Sequence, residues 1–288
     1  MDHQRYTMAK TRVWVFVALL IFLLFIGKKT RNPFPREDFH GRGIYVYNLS
    51  DGKVVFAKGE DEKIAPASLT KIMTVLLALE EGLDLDEITP VDKESYQEMV
   101  AENSSMAGFY GNEPTTFQDL LYGTLLTSGG ECARSLAIHC RGNLNSFIEG
   151  MNEKAKELAM ENTYFTTVEG LDMEGQYSTA KDMGILLKNA LQNQDFERIF
   201  TKDEYLSTAT PSHPEGIPIR STVLSKISPE EQKGFEILGG KSGTTPLNGK
   251  SWAVLAEKNN KRYLIISYGA FGNGEPQKED VLQILERL

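Results

Sequence analysis

The chain has 288 residues, with 31 Lys and Arg against 40 Asp and Glu, 41% hydrophobic and 25% charged content. That balance fits a folded globule rather than a disordered chain, and the length admits one large domain or two smaller ones. Residues 1–34 hold six basic residues and Asp2 alone, which leaves 25 basic and 39 acidic residues, a net of −14, in the remainder. So acidic a body excludes nucleic acid as a partner, because phosphates need a basic footprint.

The first element in chain order is the uncharged apolar run 13–27, between Arg12 and Lys28. As a helix it spans ~22 Å, short of the ~30 Å hydrocarbon core. A signal-peptide core has this length too, but Gly27-Lys28-Lys29-Thr30-Arg31 offers no small-x-small cleavage site. Flanking Lys and Arg can snorkel and let a short helix span. The reading is an uncleaved signal anchor over 13–27, a linker over 28–38 and a single domain over 39–288. Basic residues flank the run evenly, so charge alone leaves its orientation open.

Ile44 and Val46 alternate with Tyr45 and Tyr47, and Ser50-Asp51-Gly52 turns the chain into 53–58, which predicts a β-hairpin. Pro66 opens a helix over about 67–81 that Gly82 closes. The pattern is then mainly helical to about residue 200. Thr116 caps a helix bearing Leu120, Leu121 and Leu125; Ser128-Gly129-Gly130 interrupts; helices follow over about 131–141, 144–160 and 179–192. Strand periodicity returns at 235–241, 252–257 and 263–268, the last two joined by Lys258-Asn259-Asn260-Lys261. An amphipathic helix over about 278–288 ends the chain, and its shortness predicts packing onto a sheet rather than a membrane. Cys132 and Cys140 are eight apart on one helix, ~12 Å between Cα atoms, beyond disulfide reach. Strands at both ends with helices between predict an α+β fold. The hairpin and the three late strands form one antiparallel sheet against a central helical lobe.

Ser-x-x-Lys occurs three times, as Ser50–Lys53, Ser68–Lys71 and Ser178–Lys181, so the tetrad alone carries little. Ser50 sits in the hairpin turn, and Ser178 reads as the N-cap of the helix that follows. Ser68 differs, because it continues the apolar stripe Ile72, Val75, Leu76, Leu79 and shares a helix face with Lys71. A lysine desolvated beside that face has a lowered pKa and can act as a base; the bland alternative is a snorkelling surface lysine. Ser128-Gly129-Gly130 reads either as a plain helix–helix turn or as a hydroxyl placed to relay a proton. Lys241-Ser242-Gly243 follows Gly239-Gly240 on a strand whose small residues let a substrate backbone add as an edge. There Lys241 supplies positive potential, and Ser242 and Thr244 can bind a carboxylate.

The three elements in this order form a combination known for penicillin-binding proteins and class A β-lactamases. Over roughly 38–270 the sequence resembles the serine D-Ala-D-Ala carboxypeptidases, the low-molecular-weight penicillin-binding proteins. The resemblance runs through Ala65-Pro66-Ala67-Ser68-Leu69-Thr70-Lys71, Asp119-Leu120-Leu121-Tyr122-Gly123 leading to Ser128-Gly129, Gly170-Leu171, Tyr177-Ser178-Thr179-Ala180 and Gly240-Lys241-Ser242-Gly243. It implies a β-lactamase/transpeptidase-like fold, and a Ser68 acylated by the penultimate D-Ala of a peptidoglycan stem peptide, with Lys71 and Ser128 as its catalytic partners. It also implies substrate contacts from Lys241, Ser242, Gly243, Thr244 and Gly130, and an oxyanion hole from the backbone N–H groups of Ser68 and Thr244. β-Lactams would trap Ser68 covalently, and no cofactor or metal is called for. The expected arrangement is a single-pass bacterial membrane protein with residues 1–12 cytoplasmic and the domain outside.

Gly130 departs from the family's usual Asn, Ser242 replaces the commoner Thr, and Gln176 stands where His is frequent. Only 45 residues follow Gly243, against a further β domain and amphipathic anchor in the long members, so the N-terminal anchor is expected to substitute. A metal-dependent peptidase is set aside because His3, His40, His139 and His213 lack ligand spacing. A Ser-His-Asp hydrolase is set aside because Gly-x-Ser-x-Gly is absent. Two alternatives remain: a β-lactamase, which Glu161-Asn162 superficially suggests, and a non-catalytic penicillin-binding sensor, which Gly130 supports.

Overall fold

A computed structural model describes residues 33–288. The expected anchor over 13–27 lies outside the described residues. No helix among the described residues is long and apolar enough to cross a membrane. Residues from Arg36 to Leu288 form one unit.

Strands β1 (Gly41–Asn48) and β2 (Lys53–Lys58) form the expected hairpin. The Asn48 side chain accepts from Asp51 N at 2.9 Å, and Gly52 takes a left-handed φ of 67° to close the turn. Ser50 serves this end of the sheet, where its Oγ accepts from Arg262 N. A single 3-10 turn, Ala67–Leu69, then leads into α1 (Thr70–Glu80). The expected stripe residues Ile72, Val75 and Leu76 are buried, and so is every other residue from Thr70 to Ala78. Helix α1 is the central rod of the lobe, and a helix enclosed on all sides has no solvent face.

Short strands β3 (Ile88–Pro90) and β4 (Pro114–Thr116) pair around α2 (Lys93–Ala101), whose N-cap Asp92 accepts from Ser95 N. Thr116 caps α3 (Phe117–Leu125) in a capping box with Asp119. After the Ser128 turn come α4 (Gly130–Arg141) and α5 (Leu144–Glu157). Cys132 and Cys140 are both free thiols on α4. The next cap corrects the sequence reading. Thr179 rather than Ser178 accepts from Asp182 N and starts α6 (Ala180–Ala190), while the Ser178 hydroxyl bonds Thr163 Oγ1 at 2.8 Å. Helix α7 (Gln194–Phe200) and the pair β5 (Glu204–Leu206) and β6 (Pro218–Arg220) follow.

The late strands β7 (Glu236–Thr245), β8 (Gly249–Lys258) and β9 (Lys261–Ala270) complete a five-stranded antiparallel sheet in the order β2-β1-β9-β8-β7. Asn259 and Asn260 turn β8 into β9, both with positive φ, as a two-residue hairpin requires. Helix α8 (Pro276–Arg287) lays Val281, Ile284 and Leu285 on one sheet face, as its pattern predicted. Its Asp280 carboxylate accepts from His40 N, Gly41 N and Ser267 Oγ, which fastens the helix to the start of β1. The opposite face meets α6 and the lobe, so β7 is left as a sheet edge beside the 3-10 turn.

Candidate active site

Ala67 enters the 3-10 turn with a φ of 49°, a left-handed conformation that alanine seldom adopts. The cause lies across the chain, where Gly170 packs onto the Ala67 carbonyl so closely that an added Cβ would collide with it. The residues before Gly170 are pinned in step to α1. Thr74 Oγ1 donates to Val168 O at 2.6 Å, and Lys71 Nζ donates to Glu169 O at 2.6 Å. Gln176 braces the same loop: its Oε1 accepts from Thr166 N, Thr167 N and Thr167 Oγ1, and its Nε2 donates to Leu171 O. This is a role the sequence did not reveal.

Lys71 is 1% exposed, which rules out a snorkelling surface lysine. Its Nζ lies 3.3 Å from Ser68 Oγ, and Ser68 itself is half-buried. Desolvation lowers the Lys71 ammonium to about 8, against the opposing carboxylates of Glu169 and Glu131 and the Cys132 thiol. The pair therefore holds a hydroxyl beside an amine that titrates near neutrality, the arrangement a serine nucleophile and its base need.

On β7, Lys241 is fully buried, with its Nζ donating to Ser242 O at 2.9 Å. Burial first, and then the charge of Lys71, push its pKa well below the lysine range. Ser242 Oγ bonds Thr222 Oγ1 at 2.7 Å, and Thr244 is exposed at the strand edge. A Cβ added to Gly243 would stand 3.3 Å from the backbone nitrogens of Ser68 and Leu69, so the missing side chain keeps the approach to Ser68 N–H clear.

Ser128 has a φ of 67°, and its Oγ is buried with no hydrogen-bond partner. A buried hydroxyl left unpaired is costly, and such groups mark sites waiting for a partner. Beside it, Gly130 N donates to Ser105 O at 2.8 Å, and a Cβ on Gly130 would meet Met99 Sδ at 2.8 Å and Ser104 Oγ at 2.9 Å. The space an Asn side chain would need is thus filled by the 99–105 segment. Glu131 holds that segment's continuation, accepting from Ala107 N and Gly108 N. Asp172 ties the Gly170 loop to the end of β7, accepting from Thr245 Oγ1 at 2.6 Å and Leu247 N at 3.0 Å. Glu161, the residue suggestive of a β-lactamase, is exposed on a turn after α5. Among the described residues no cluster of His, Cys, Asp or Glu is placed to hold a metal.

The family model for D-alanyl-D-alanine carboxypeptidases matches residues 30–272. The chain belongs to that family. It is 34% identical to the carboxypeptidase DacF of Bacillus subtilis over 76% of this chain and 54% of that one. With DacC of Escherichia coli it shares 30% identity over 80% of this chain and 56% of the relative. The chain thus spans about half the length of these curated relatives. The crystal structure of a Streptomyces DD-transpeptidase superposes with a TM-score of 0.76 at 25% identity, covering 86% of this chain and 97% of that one. The fold is accordingly the β-lactamase/transpeptidase type.

Proposed function

We propose that the protein is a serine D,D-carboxypeptidase that removes the terminal D-Ala from peptidoglycan stem pentapeptides through a Ser68 acyl-enzyme. The observation that carries this reading is the enclosed Lys71 amine, 3.3 Å from Ser68 Oγ and beside the free edge of β7. Neutral Lys71 accepts the Ser68 proton as Oγ attacks the penultimate D-Ala carbonyl. Backbone N–H groups of Ser68 and Thr244 stabilise the oxyanion. Ser128 passes the proton on to the departing D-Ala amine, which breaks the peptide bond. Water then hydrolyses the ester: Lys71 takes a proton from the attacking water and passes it to Ser68 Oγ as the acyl bond breaks, which restores the neutral amine and the free hydroxyl. Lys241, Ser242 and Thr244 hold the terminal carboxylate, with Gly243 and Gly130 lining the approach. β-Lactams acylate the same serine.

The reading includes a single-pass anchor over 13–27, residues 1–12 inside, a linker over 28–38 and the catalytic domain over 39–288 outside the membrane, where this substrate lies. An exposed Glu161 supports a carboxypeptidase over a β-lactamase, since it is not placed to activate water at the ester. The test is release of D-Ala from a diacyl-Lys-D-Ala-D-Ala peptide by the full chain, and its loss in Ser68→Ala. Full activity in that variant, or a penicillin adduct mapped to Ser50 or Ser178, overturns the assignment.

A further inference from the structure

One residue outside every motif joins the two sides of the site. Thr222 follows β6 on the short segment 221–224, and its Oγ1 lies 2.7 Å from Ser242 Oγ. Its backbone N donates to Leu126 O at 3.1 Å, just ahead of Ser128. A single residue thus spans from the strand bearing Ser242 to the turn bearing Ser128. The segment is held firmly. Ser221 is buried, with its N donating to Asp203 O at 2.8 Å and its Oγ accepting from Leu224 N at 3.2 Å. Val223 packs on Gly240 so closely that an added Cβ would meet its Cγ1 at 2.7 Å. Neither the Thr222 nor the Ser242 hydroxyl has another hydrogen-bond partner among the described residues, and both residues are half-buried, so a ligand can reach them.

We propose that Thr222 is a positioning residue for carboxylate recognition: it donates to Ser242 Oγ and thereby turns the Ser242 proton toward the terminal carboxylate of the substrate. The proton count favours this direction. Each hydroxyl carries one proton, and one of the pair is spent between them. A carboxylate only accepts, so Ser242 must donate to it, and the shared proton then comes from Thr222. The reverse direction would aim the Ser242 lone pairs at an anion. A chain of donors also strengthens each member, because Thr222 polarises the Ser242 O–H. Serine needs such a partner more than threonine does, since with no second substituent on Cβ its χ1 turns freely. The fixed 221–224 segment supplies the missing direction from outside the strand, in register with Ser128.

The inference rests on the carboxypeptidase reading, and the test separates the two. Thiol release by the full chain is compared for the thioester diacetyl-Lys-D-Ala-thioglycolate, whose leaving group ends in a carboxylate, and for its methyl ester. The unaltered protein is expected to prefer the carboxylate in kcat/KM. Thr222→Val keeps the shape and removes the hydroxyl, and should cut that preference ~10-fold, equivalent to ~1.4 kcal/mol. Thr222→Ser restores the hydroxyl and should retain the preference. In a Ser242→Ala background Thr222→Val should change nothing further, because the hydroxyl acts only through Ser242. The inference is overturned by an unaltered protein without the preference, or by a Thr222→Val variant that keeps it or loses both substrates equally. A Thr222→Ser variant no better than Thr222→Val, or an undiminished effect on top of Ser242→Ala, overturns it too. Absence of D-Ala release from diacetyl-Lys-D-Ala-D-Ala by the unaltered chain overturns the carboxypeptidase reading instead.

Discussion

Raising the pH from about 6 to about 9 should speed acylation of the full chain by a labelled penicillin along one titration, because Lys71 must be neutral to accept the Ser68 proton. The sign follows from burial: desolvation penalises the ammonium, so the Lys71 pKa falls from 10.5 to about 8 and the neutral form appears at lower pH. At neutral pH a lysine with the ordinary value is ~0.03% deprotonated, and one near 8 is ~10% deprotonated, a gain of ~300-fold in competent protein. Among the groups facing Lys71, Glu169, Glu131 and Cys132 each favour its cation, in that order. Glu169→Gln should therefore move the limb to lower pH. Lys71→Arg keeps the charge at every accessible pH and should slow acylation by at least ~10³-fold. The assay is the second-order rate of adduct formation, read by mass spectrometry across the pH range. A flat profile, or a limb at the ordinary lysine value, would refute Lys71 as the base.

Gly130→Asn should destabilise the fold by about 1–2 kcal/mol, because the new Cβ overlaps Met99 and Ser104. Urea denaturation reads that loss, and adding Ser104→Gly should recover part of it. Gln176→Ala removes the amide that holds the 166–171 loop and should cost about 2–3 kcal/mol, with slower acylation as Glu169 O loses its position. Asp280→Ala strands two backbone N–H groups and the Ser267 hydroxyl at about 3 kcal/mol, seen as a lower denaturation midpoint with acylation in native buffer unchanged. Ser128→Gly relieves a left-handed serine and should raise the midpoint while slowing acylation, a split that a purely structural turn would not show.

The sheet was legible because alternation over β1, β8 and β9 and the Asn259-Asn260 turn are local signals, and the pairing of the N-terminal hairpin with the late strands followed from their placement. Helix α2 was not, since it buries only Ser95 and Met99 and so has almost no apolar period to read. The α1 stripe was legible, but the burial of Thr70 and Thr74 beside it was not, because polar side chains carry no apolar period. The adjacency of Ser68 and Lys71 was legible because their side chains fall three residues apart, a spacing that brings them to one face. Glu169 escaped because it serves Lys71 through its carbonyl, which any residue possesses. Gln176 and Asp172 escaped because their partners are fixed by tertiary folding. The reach of the Met99–Ser105 segment into the space beside Gly130 was likewise invisible, although the glycine itself stood out as unusual.

The costs in this fold converge on the site. Ala67 and Ser128 both sit at positive φ, at roughly 1–3 kcal/mol each for non-glycine residues. Lys71 and Lys241 are both buried amines, and Ser128 Oγ has no partner. None of these would persist unless the surroundings over-determined them, and the surroundings are identifiable. Helix α1 is enclosed on every side, so the turn preceding it cannot relax outward. Thr74 and Lys71 hold Val168 and Glu169 by their carbonyls, which delivers Gly170 onto Ala67. A side chain at residue 170 would clash with the Ala67 carbonyl, so a missing Cβ across the cleft is what allows the strained turn that presents Ser68. The geometry of Ser68 and Lys71 is therefore a property of the loop as much as of the tetrad. That is why one Ser-x-x-Lys of three becomes an enclosed hydroxyl–amine pair, while Ser50 and Ser178 remain a turn and a buried hydrogen bond.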